Sequence, residues 1–383
     1  MRIAIVHYWF LVSGGGERVV EVFGEMFPEA DFFVLFAEPN AIPPSLKSHK
    51  ITTSILNKSS IARKFNRQVF PLYPTAIESI DLSDYDIIIS SDSPPMKGVV
   101  TRPDQLHICY CHTPGRYLWD SNESFKKTLP WFARPLFSAL TSYLRRWDYA
   151  AAQRVDCFVA NSKFVSTRIQ HFYGRDSIVI HPPVNTSLGY ISEAPSDFYL
   201  HVGRLVHTKR IDLLINACNR LGRKLIVAGT GREEESLRAL AGPHVTFLGR
   251  VEDKELPSLY ANCRALLFAA EEDFGIVPVE AQSYGRPVIA YGAGGALETV
   301  RNFRDDETSA TGIYFAEQTV SSVCDAILRF ESIEKRFDPY KIQAFAKTFD
   351  NSVFIRKMLD LIDDRQKAVL EVQSASKEPV FQF

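Results

Sequence analysis

Ten short runs rich in β-branched and aromatic residues recur along the chain, each followed by a turn and a stretch of helical periodicity. In the first half they are RIAIVHY (2–8), DFFVLF (31–36), DIIIS (86–90), LHICYC (106–111) and CFVAN (157–161). The second half repeats the arrangement with FYLHVGR (198–204), KLIVAGT (224–230), VTFLGR (245–250), ALLFA (265–269) and PVIAY (287–291). Helix-length stretches at 210–221, 232–240, 253–262 and 277–285 lie between the later runs. Near-continuous apolar strands alternating with helices imply parallel sheets covered on both faces. The fold class expected is therefore α/β, in two doubly wound halves. A chain of 383 residues also exceeds one ordinary core. The join falls in HPPVNTSLGYISEAPSD (181–197), rich in Pro, Ser and Asn and poor in periodicity.

The domain boundaries expected are 1–182 for the first half and 183–337 for the second. Residues 338–371 read as amphipathic helices, with Phe345, Phe349, Phe354, Met358, Leu361 and Ile362 near helical spacing. Residues 372–383, mostly polar, read as a flexible tail. The net charge of −1 gives no global attraction for nucleic acid, so any electrostatic partner has to be met by a local patch. Six scattered cysteines form no Cys-x-x-Cys pair and read as small buried hydrophobes in a reducing compartment. No run approaches the ~18 apolar residues of a spanning helix, so a cytoplasmic chain, at most peripheral on a membrane, is expected.

Chemistry concentrates where strands end, because ligands of open parallel sheets bind outside the carboxyl ends of the strands. EEDFGIVPVEAQSYGRPVIA (271–290) places Glu272 in a loop and Glu280 eight residues on, with Pro278 suited to the first position of a helix. The amides of Phe274, Gly275 and Ile276 would then sit at a helix N-terminus, a natural anion seat. Acidic residues near a helix start also simply stabilise it, so spacing by itself leaves both readings open. HVGRLVHTKRID sets Arg204 directly after a strand and Lys209 five residues later, two cations able to clamp a diphosphate without a metal. GGGERV, from Gly14, follows the first strand without matching the dinucleotide fingerprint. AGTGRE (228–233) is a lone Gly-x-Gly that can serve only its turn. His112, in CYCHTPGRYLWD, leaves a strand into a Thr-Pro-Gly turn, where it either faces a ligand or caps the turn.

In their order these motifs resemble the retaining glycosyltransferases of family 4. The similarity rests on Glu272 and Glu280 followed by GRPVIA and GGALETV, together with GGGERV, YCHTP, NSKFVSTRI, HPPVN, HVGRLVHTKRIDLLI, VAGTGRE and FLGRV. It runs from about residue 1 to 335, and its flavour is that of bacterial mannosyltransferases of surface-polysaccharide assembly. NTSLGY after HPPV departs from the pattern by lacking its usual Asp and Phe. The resemblance implies the GT-B architecture, two Rossmann-like domains facing a cleft, with the C-terminal helix crossing back to the first.

It also implies roles. Arg204 and Lys209 would bind the leaving diphosphate, Glu280 the ribose and Glu272 the donor sugar, beside the amides of Phe274, Gly275 and Ile276. Gly15 and Gly16 would approach the phosphate, His112 would contact the transferred sugar, and Arg250 and Val251 would flank the base. His7, Tyr8 and Trp9 would line the acceptor pocket. The donor implied is a nucleotide sugar, GDP-mannose first, with no cofactor and no metal. The acceptor implied is a saccharide carried on a polyprenyl diphosphate.

Within this frame a UDP-sugar transferase, a sugar-nucleotide epimerase and a non-catalytic nucleotide-sugar-binding partner are the alternatives. Asp84-Tyr85-Asp86 formally matches the Asp-x-Asp of metal-dependent transferases but sits at a strand entry. Asp273-Phe274-Gly275 lacks the companion loop of a kinase. Two basic, aromatic-bearing segments suit an anionic membrane surface. One holds Lys47, Lys50, Lys58, Arg63, Lys64 and Arg67 among Ile51, Ile61, Phe65 and Phe70. The other, 126–147, holds Lys126, Lys127, Arg134, Arg145 and Arg146 among Trp131, Phe132, Phe137 and Trp147.

Overall fold

The computed structural model describes residues 1–11, 14–66, 68–93, 95–120, 126–127 and 129–375. Arg67 and the end of the expected tail, 376–383, lie outside the described residues. Contacts divide the chain into two compact units, Met1–His181 with the stretch from Phe354, and Pro182–Val353.

The first unit is built on a seven-stranded parallel sheet: β1 (Ile3–Phe10), β2 (Asp31–Ala37), β3 (Ile51–Thr53), β4 (Ile87–Asp92), β5 (Leu106–Cys111), β6 (Cys157–Ala160) and β7 (Ser177–Val179). Their spatial order is β3-β2-β1-β4-β5-β6-β7. From β1 the chain winds outward one way to β3, then returns to β4 and winds the other way. The topological switch point therefore lies between β1 and β4. The strands are Val/Ile/Phe-rich because both faces are covered. Helix Gly15–Met26 lays Val19, Val20 and Phe23 onto one face with Ile3, Ile5, Val34, Ile89 and Ile108. Helix Asn351–Ala375 adds Phe354, Met358 and Ile362 to the same core, one stripe at i, i+4 and i+8. The Phe354 ring stands 5.5 Å from that of Phe23 and 5.6 Å from that of Tyr110.

The second unit has a six-stranded parallel sheet: β8 (Tyr199–Val202), β9 (Leu225–Ala228), β10 (Val245–Gly249), β11 (Ala265–Phe268), β12 (Val288–Tyr291) and β13 (Gly312–Phe315). Its order is β10-β9-β8-β11-β12-β13, so its switch point lies between β8 and β11. Helices Ile211–Leu221 and Val320–Ile333 bury Leu214, Cys218, Val323 and Ile327 against one face.

Where sequence and structure differ, the elements are short or packed from elsewhere. β3 and β7 have three residues each and lie at sheet edges, too short to declare a period, and the edge strand β13 was not among the expected runs. Helix Pro339–Ala346, expected on the first domain, packs within the second unit, where Gln343 Nε2 donates to the Ser283 carbonyl at 2.9 Å. The return to the first unit starts at Phe354 rather than at 338. The expected tail from 372 begins as helix, which runs to Ala375. The segment read as a loose join is tied down as well: Val184 is buried and Thr186 Oγ1 donates to Asp350 Oδ2 at 2.6 Å. Asp84 and Asp86 mark the amino-terminal entry to β4. Asp84 pairs with Arg2 at 3.3 Å, and Asp86 accepts from the Arg2 amide at 2.7 Å. All six cysteines are free and buried.

Candidate functional site

In the second unit the chemistry gathers at the carboxyl ends of β8 and β11, the two sides of the switch point. β8 ends at Val202 and is followed by Gly203 and Arg204. A 3-10 turn, His207–Lys209, then leads into helix Ile211–Leu221 through Arg210. Arg210 holds φ +50°, the one positive-φ residue other than glycine among the described residues. That backbone state costs free energy, so the turn that presents Lys209 is imposed by its surroundings. Across the switch point, β11 runs into Glu271–Gly275 and helix Ile276–Ser283.

Lys209 Nζ is paired with Glu272 Oε1, and only 19% and 25% of these side chains are exposed. Two residues expected at the donor site, Lys209 and Glu272, thus meet across adjacent strands. Burial, then the neighbouring Arg204, draws the Lys209 ammonium down to about 8, against the pull of Asp273. Low exposure strengthens its interaction with any anion brought beside it.

Helix Ile276–Ser283 starts two residues before Pro278, which lies third rather than first. Pro is tolerated there because the first-turn N–H groups have no intrahelical acceptor anyway. Glu280 is consequently the fifth residue, one turn in, and its Oε2 accepts from the Tyr260 hydroxyl at 2.7 Å. Gly275 caps the helix at φ +93°. Phe274 turns its ring into the core against Phe349, at 5.6 Å between centroids.

Two glycine pairs make this end of the sheet possible. A Cβ on Gly294 would stand 2.4 Å from the Glu272 carbonyl oxygen, and one on Gly295 would stand 2.2 Å from that of Phe274. The Gly295 amide donates to the Glu272 carbonyl at 2.8 Å. GGALETV therefore supports the acidic loop from beneath. The Gly-x-Gly of 229–231 does likewise: a Cβ on Gly229 would meet the Gly203 oxygen at 1.9 Å, and one on Gly231 the Leu205 oxygen at 2.1 Å. Its glycines permit loop-on-loop packing. Arg250 and Val251 follow Gly249 at the end of the edge strand β10, with Arg250 exposed.

In the first unit the register of β1, β4 and β5 brings three polar side chains together. His7 is the partner of Ser91, and Asp92 the partner of Cys111, so His112 falls one residue beyond. His7 Nδ1 lies 3.2 Å from Ser91 Oγ, which lies 2.8 Å from His112 Nε2. Asn161 Nδ2 donates to the His112 carbonyl at 2.9 Å, and the His112 amide to that of Asp92 at 2.9 Å. Desolvation, then the neighbouring His7, pushes the His112 imidazole down to about 3, so it is neutral at physiological pH.

His7 has no exposed surface, which corrects its expected place lining an acceptor pocket. Tyr8 and Trp9 are partly exposed. The Tyr8 hydroxyl donates to Glu17 Oε1 at 3.3 Å. Gly15 and Gly16 form the first turn of helix Gly15–Met26, and a Cβ on Gly16 would stand 3.4 Å from the Tyr8 hydroxyl.

The segment after His112 is anchored by a buried ion cluster that sequence reasoning missed. Lys97, fully buried, donates to Asp92 Oδ2 at 3.3 Å and to Asp148. Asp148 also accepts from Trp119 Nε1 and the Tyr173 hydroxyl, each at 2.8 Å.

Residues 13–188 match the model of Glycosyltransferase Family 4, and residues 192–346 that of Glycosyl transferases group 1. The chain belongs to the family 4 glycosyltransferases. It is similar to the GDP-mannose-dependent alpha-(1-6)-phosphatidylinositol monomannoside mannosyltransferase of Mycobacterium tuberculosis, 35% identical over 144 residues. That match covers 33% of this chain and 36% of the relative. Alpha-1,3/1,6-mannosyltransferase ALG2 of Kluyveromyces lactis is 24% identical over 381 residues, covering 80% of this chain and 73% of that protein. The chain thus spans well under half the length of the Mycobacterium relative and most of the Kluyveromyces one. Among solved structures, that of Anabaena Alr3699/HepE in complex with UDP superposes with a TM-score of 0.71 at 18% identity, over 95% of this chain and 100% of that one. This family 4 member therefore has the GT-B fold, built from two Rossmann-like domains.

Proposed function

We propose that this chain is a retaining, metal-independent glycosyltransferase that moves mannose from GDP-mannose to a saccharide acceptor carried on a polyprenyl diphosphate. The observation that carries the reading is the cation pair Arg204 and Lys209, facing the Glu272 loop across the switch point of the second sheet. Nucleotide ligands of open parallel sheets bind at such points. Arg204 and Lys209 hold the diphosphate, the amides of Phe274, Gly275 and Ile276 add donors at a helix start, and Glu280, oriented by Tyr260, takes the ribose hydroxyls. Glu272 takes hydroxyls of the donor sugar, and Arg250 and Val251 flank the base. Gly15 and Gly16 approach the phosphate, and His112 contacts the transferred sugar. Tyr8 and Trp9 belong to the acceptor side.

In the transfer step the bond from the anomeric carbon to the diphosphate oxygen breaks. The acceptor oxygen bonds to that carbon on the same face, and its proton passes to a phosphate oxygen. Neither Glu272 nor Glu280 has to act as acid or base, because both are engaged as hydrogen-bonding carboxylates. Catalysis is then positioning together with stabilisation of charge on the leaving group.

A panel of nucleotide sugars, scored by thermal shift and by hydrolysis, tests the donor. Stabilisation by GDP and hydrolysis of GDP-mannose are expected. Response to UDP alone would favour the second reading, a UDP-sugar transferase, which the UDP complexes among the similar structures motivate. Binding without turnover of any member would instead point to a non-catalytic partner.

The acceptor reading is supported by the surface of the first unit. Ile61, Phe65, Trp131 and Phe132 are exposed, Trp131 by 79%, among Lys58, Arg63, Lys64, Lys126 and Arg134. Phe137 is instead buried, and Trp147 packs over Gly98, so part of the second segment belongs to the core. No helix among the described residues is long and apolar enough to cross a membrane. Peripheral binding to an anionic, cytoplasmic membrane face is the reading this supports. Co-sedimentation with anionic vesicles at low salt is expected, and absence of binding there would remove it.

A further inference from the structure

The first unit holds a buried polar chain that leads away from His112 into the protein. It runs from Glu17 in the first turn of helix Gly15–Met26, through His7 on β1 and Ser91 on β4, to His112 beyond β5. His7 and Ser91 have no exposed surface, and Glu17 has 4% of its side chain exposed. His7 Nε2 has no hydrogen-bond partner, and the charged group facing it is Glu17 Oε1 at 3.9 Å. At the other end Ser91 Oγ lies between His7 Nδ1 and His112 Nε2, at 3.2 and 2.8 Å.

A serine hydroxyl has one proton, so between two imidazole nitrogens it donates to one and accepts from the other. For neutral imidazoles the tautomers of His7 and His112 are therefore coupled. If His7 is protonated on Nδ1, Ser91 donates to His112 Nε2, and His112 carries its proton on Nδ1. If His7 is protonated on Nε2, every bond reverses, and His112 carries its proton on Nε2. A carboxylate facing His7 Nε2 in a buried site favours an N–H there over a lone pair, because two lone pairs would repel without solvent to screen them.

We propose that Glu17, acting through His7 and Ser91, holds His112 as its Nε2–H tautomer and so leaves Nδ1 as a hydrogen-bond acceptor for a hydroxyl of the transferred sugar. The last clause rests on the reading of His112 as a sugar contact; the tautomer itself does not. Glu17, His7 and Ser91 are then positioning residues. They set the direction of one hydrogen bond without touching substrate, much as a carboxylate fixes the imidazole of a hydrolase triad.

The test is a long-range 1H–15N correlation spectrum of the full chain labelled in histidine, at pH 7.5. His112 is assigned by its loss in His112→Gln. Wild type is expected to show His112 protonated on Nε2. Glu17→Gln removes the fixed charge and is expected to shift His112 toward Nδ1–H, whereas Ser91→Ala removes the coupling and is expected to leave His112 insensitive to Glu17→Gln. His107, whose Nε2 meets Ser90 Oγ at 2.9 Å outside the chain, should keep its pattern and report an intact sheet. His112 protonated on Nδ1 in wild type overturns the proposal even if neither variant folds. An unchanged His112 pattern in folded Glu17→Gln overturns it as well. In the same variant, nucleotide-sugar turnover is expected to fall about tenfold in kcat, the size of one lost hydrogen bond, with KM for the donor held. The tautomer shift without that loss would overturn the sugar contact of His112 rather than the relay.

Discussion

Lys209 keeps its charge with little solvent around it and an arginine nearby, which is why its ammonium is drawn down to about 8. A free lysine titrates near 10.4, so this one is charged at neutral pH and loses its proton within an accessible range. A bound diphosphate favours the protonated form. GDP affinity should therefore be full below pH 8 and weaken as pH rises through it. Lys209→Arg, which cannot deprotonate, should carry the affinity to pH 9.5. Calorimetric titration of GDP between pH 7 and 9.5 checks this, and an identical flat profile for both proteins would contradict it. At this scale the sequence exposed the charged members of the site, because cations and carboxylates at strand ends stand out. Tyr260, Ser91 and Glu17 did not stand out. Tyr260 lies on a helix where an aromatic reads as core, and Glu17 was overshadowed by the glycines before it. Ser91, in SSDSPP directly after an isoleucine run, carried the one legible hint: small polar residues leaving a strand.

Among the elements, the acidic loop 271–275 is shaped from below by the turn before helix Ala296–Thr299. Gly295 is not needed for its φ but for the space under Phe274, where a Cβ would overlap backbone rather than a yielding side-chain tip. Gly295→Ala should lift the loop, at about 1–3 kcal/mol in stability, and lower turnover beyond what the lost stability explains. Thermal unfolding and nucleotide-sugar hydrolysis on the same preparation check it; wild-type turnover in a stably folded variant would contradict it. The long apolar strands and the stripe of Phe354, Met358 and Ile362 were legible because period and burial agree over many residues. The start of helix Ile276–Ser283 was not, since Pro278 is as acceptable at its third position as at its first. β3 and β7 were lost for want of length.

For the whole molecule, the two-domain α/β plan was legible from ten strand-like runs, and the family from the order of the motifs. What the sequence could not show was how much polar chemistry is buried. Burial holds His107 and His112 at about 3 and His201 at about 4, each below the usual value near 6.5. The unfolded chain therefore binds protons between pH 6.5 and about 3 that the folded chain does not, and stability must fall as pH drops through that window. The lowered carboxylates of Glu331 and Asp350 act in the same direction as acidity increases further. The melting temperature should begin to decline just below pH 6.5, before ordinary carboxylates titrate; a plateau down to pH 4.5 would contradict this.

In the proposed function the cations after β8 hold the diphosphate of a nucleotide sugar. Calorimetric titration of GDP-mannose into wild type and Lys209→Ala at pH 7.5, with hydrolysis followed in parallel, tests it most directly. Wild type is predicted to bind and turn over the donor. The folded variant should lose affinity and about 100- to 1,000-fold in kcat, the size of a lost oxyanion donor. Equal affinity and turnover in the two proteins would contradict the account.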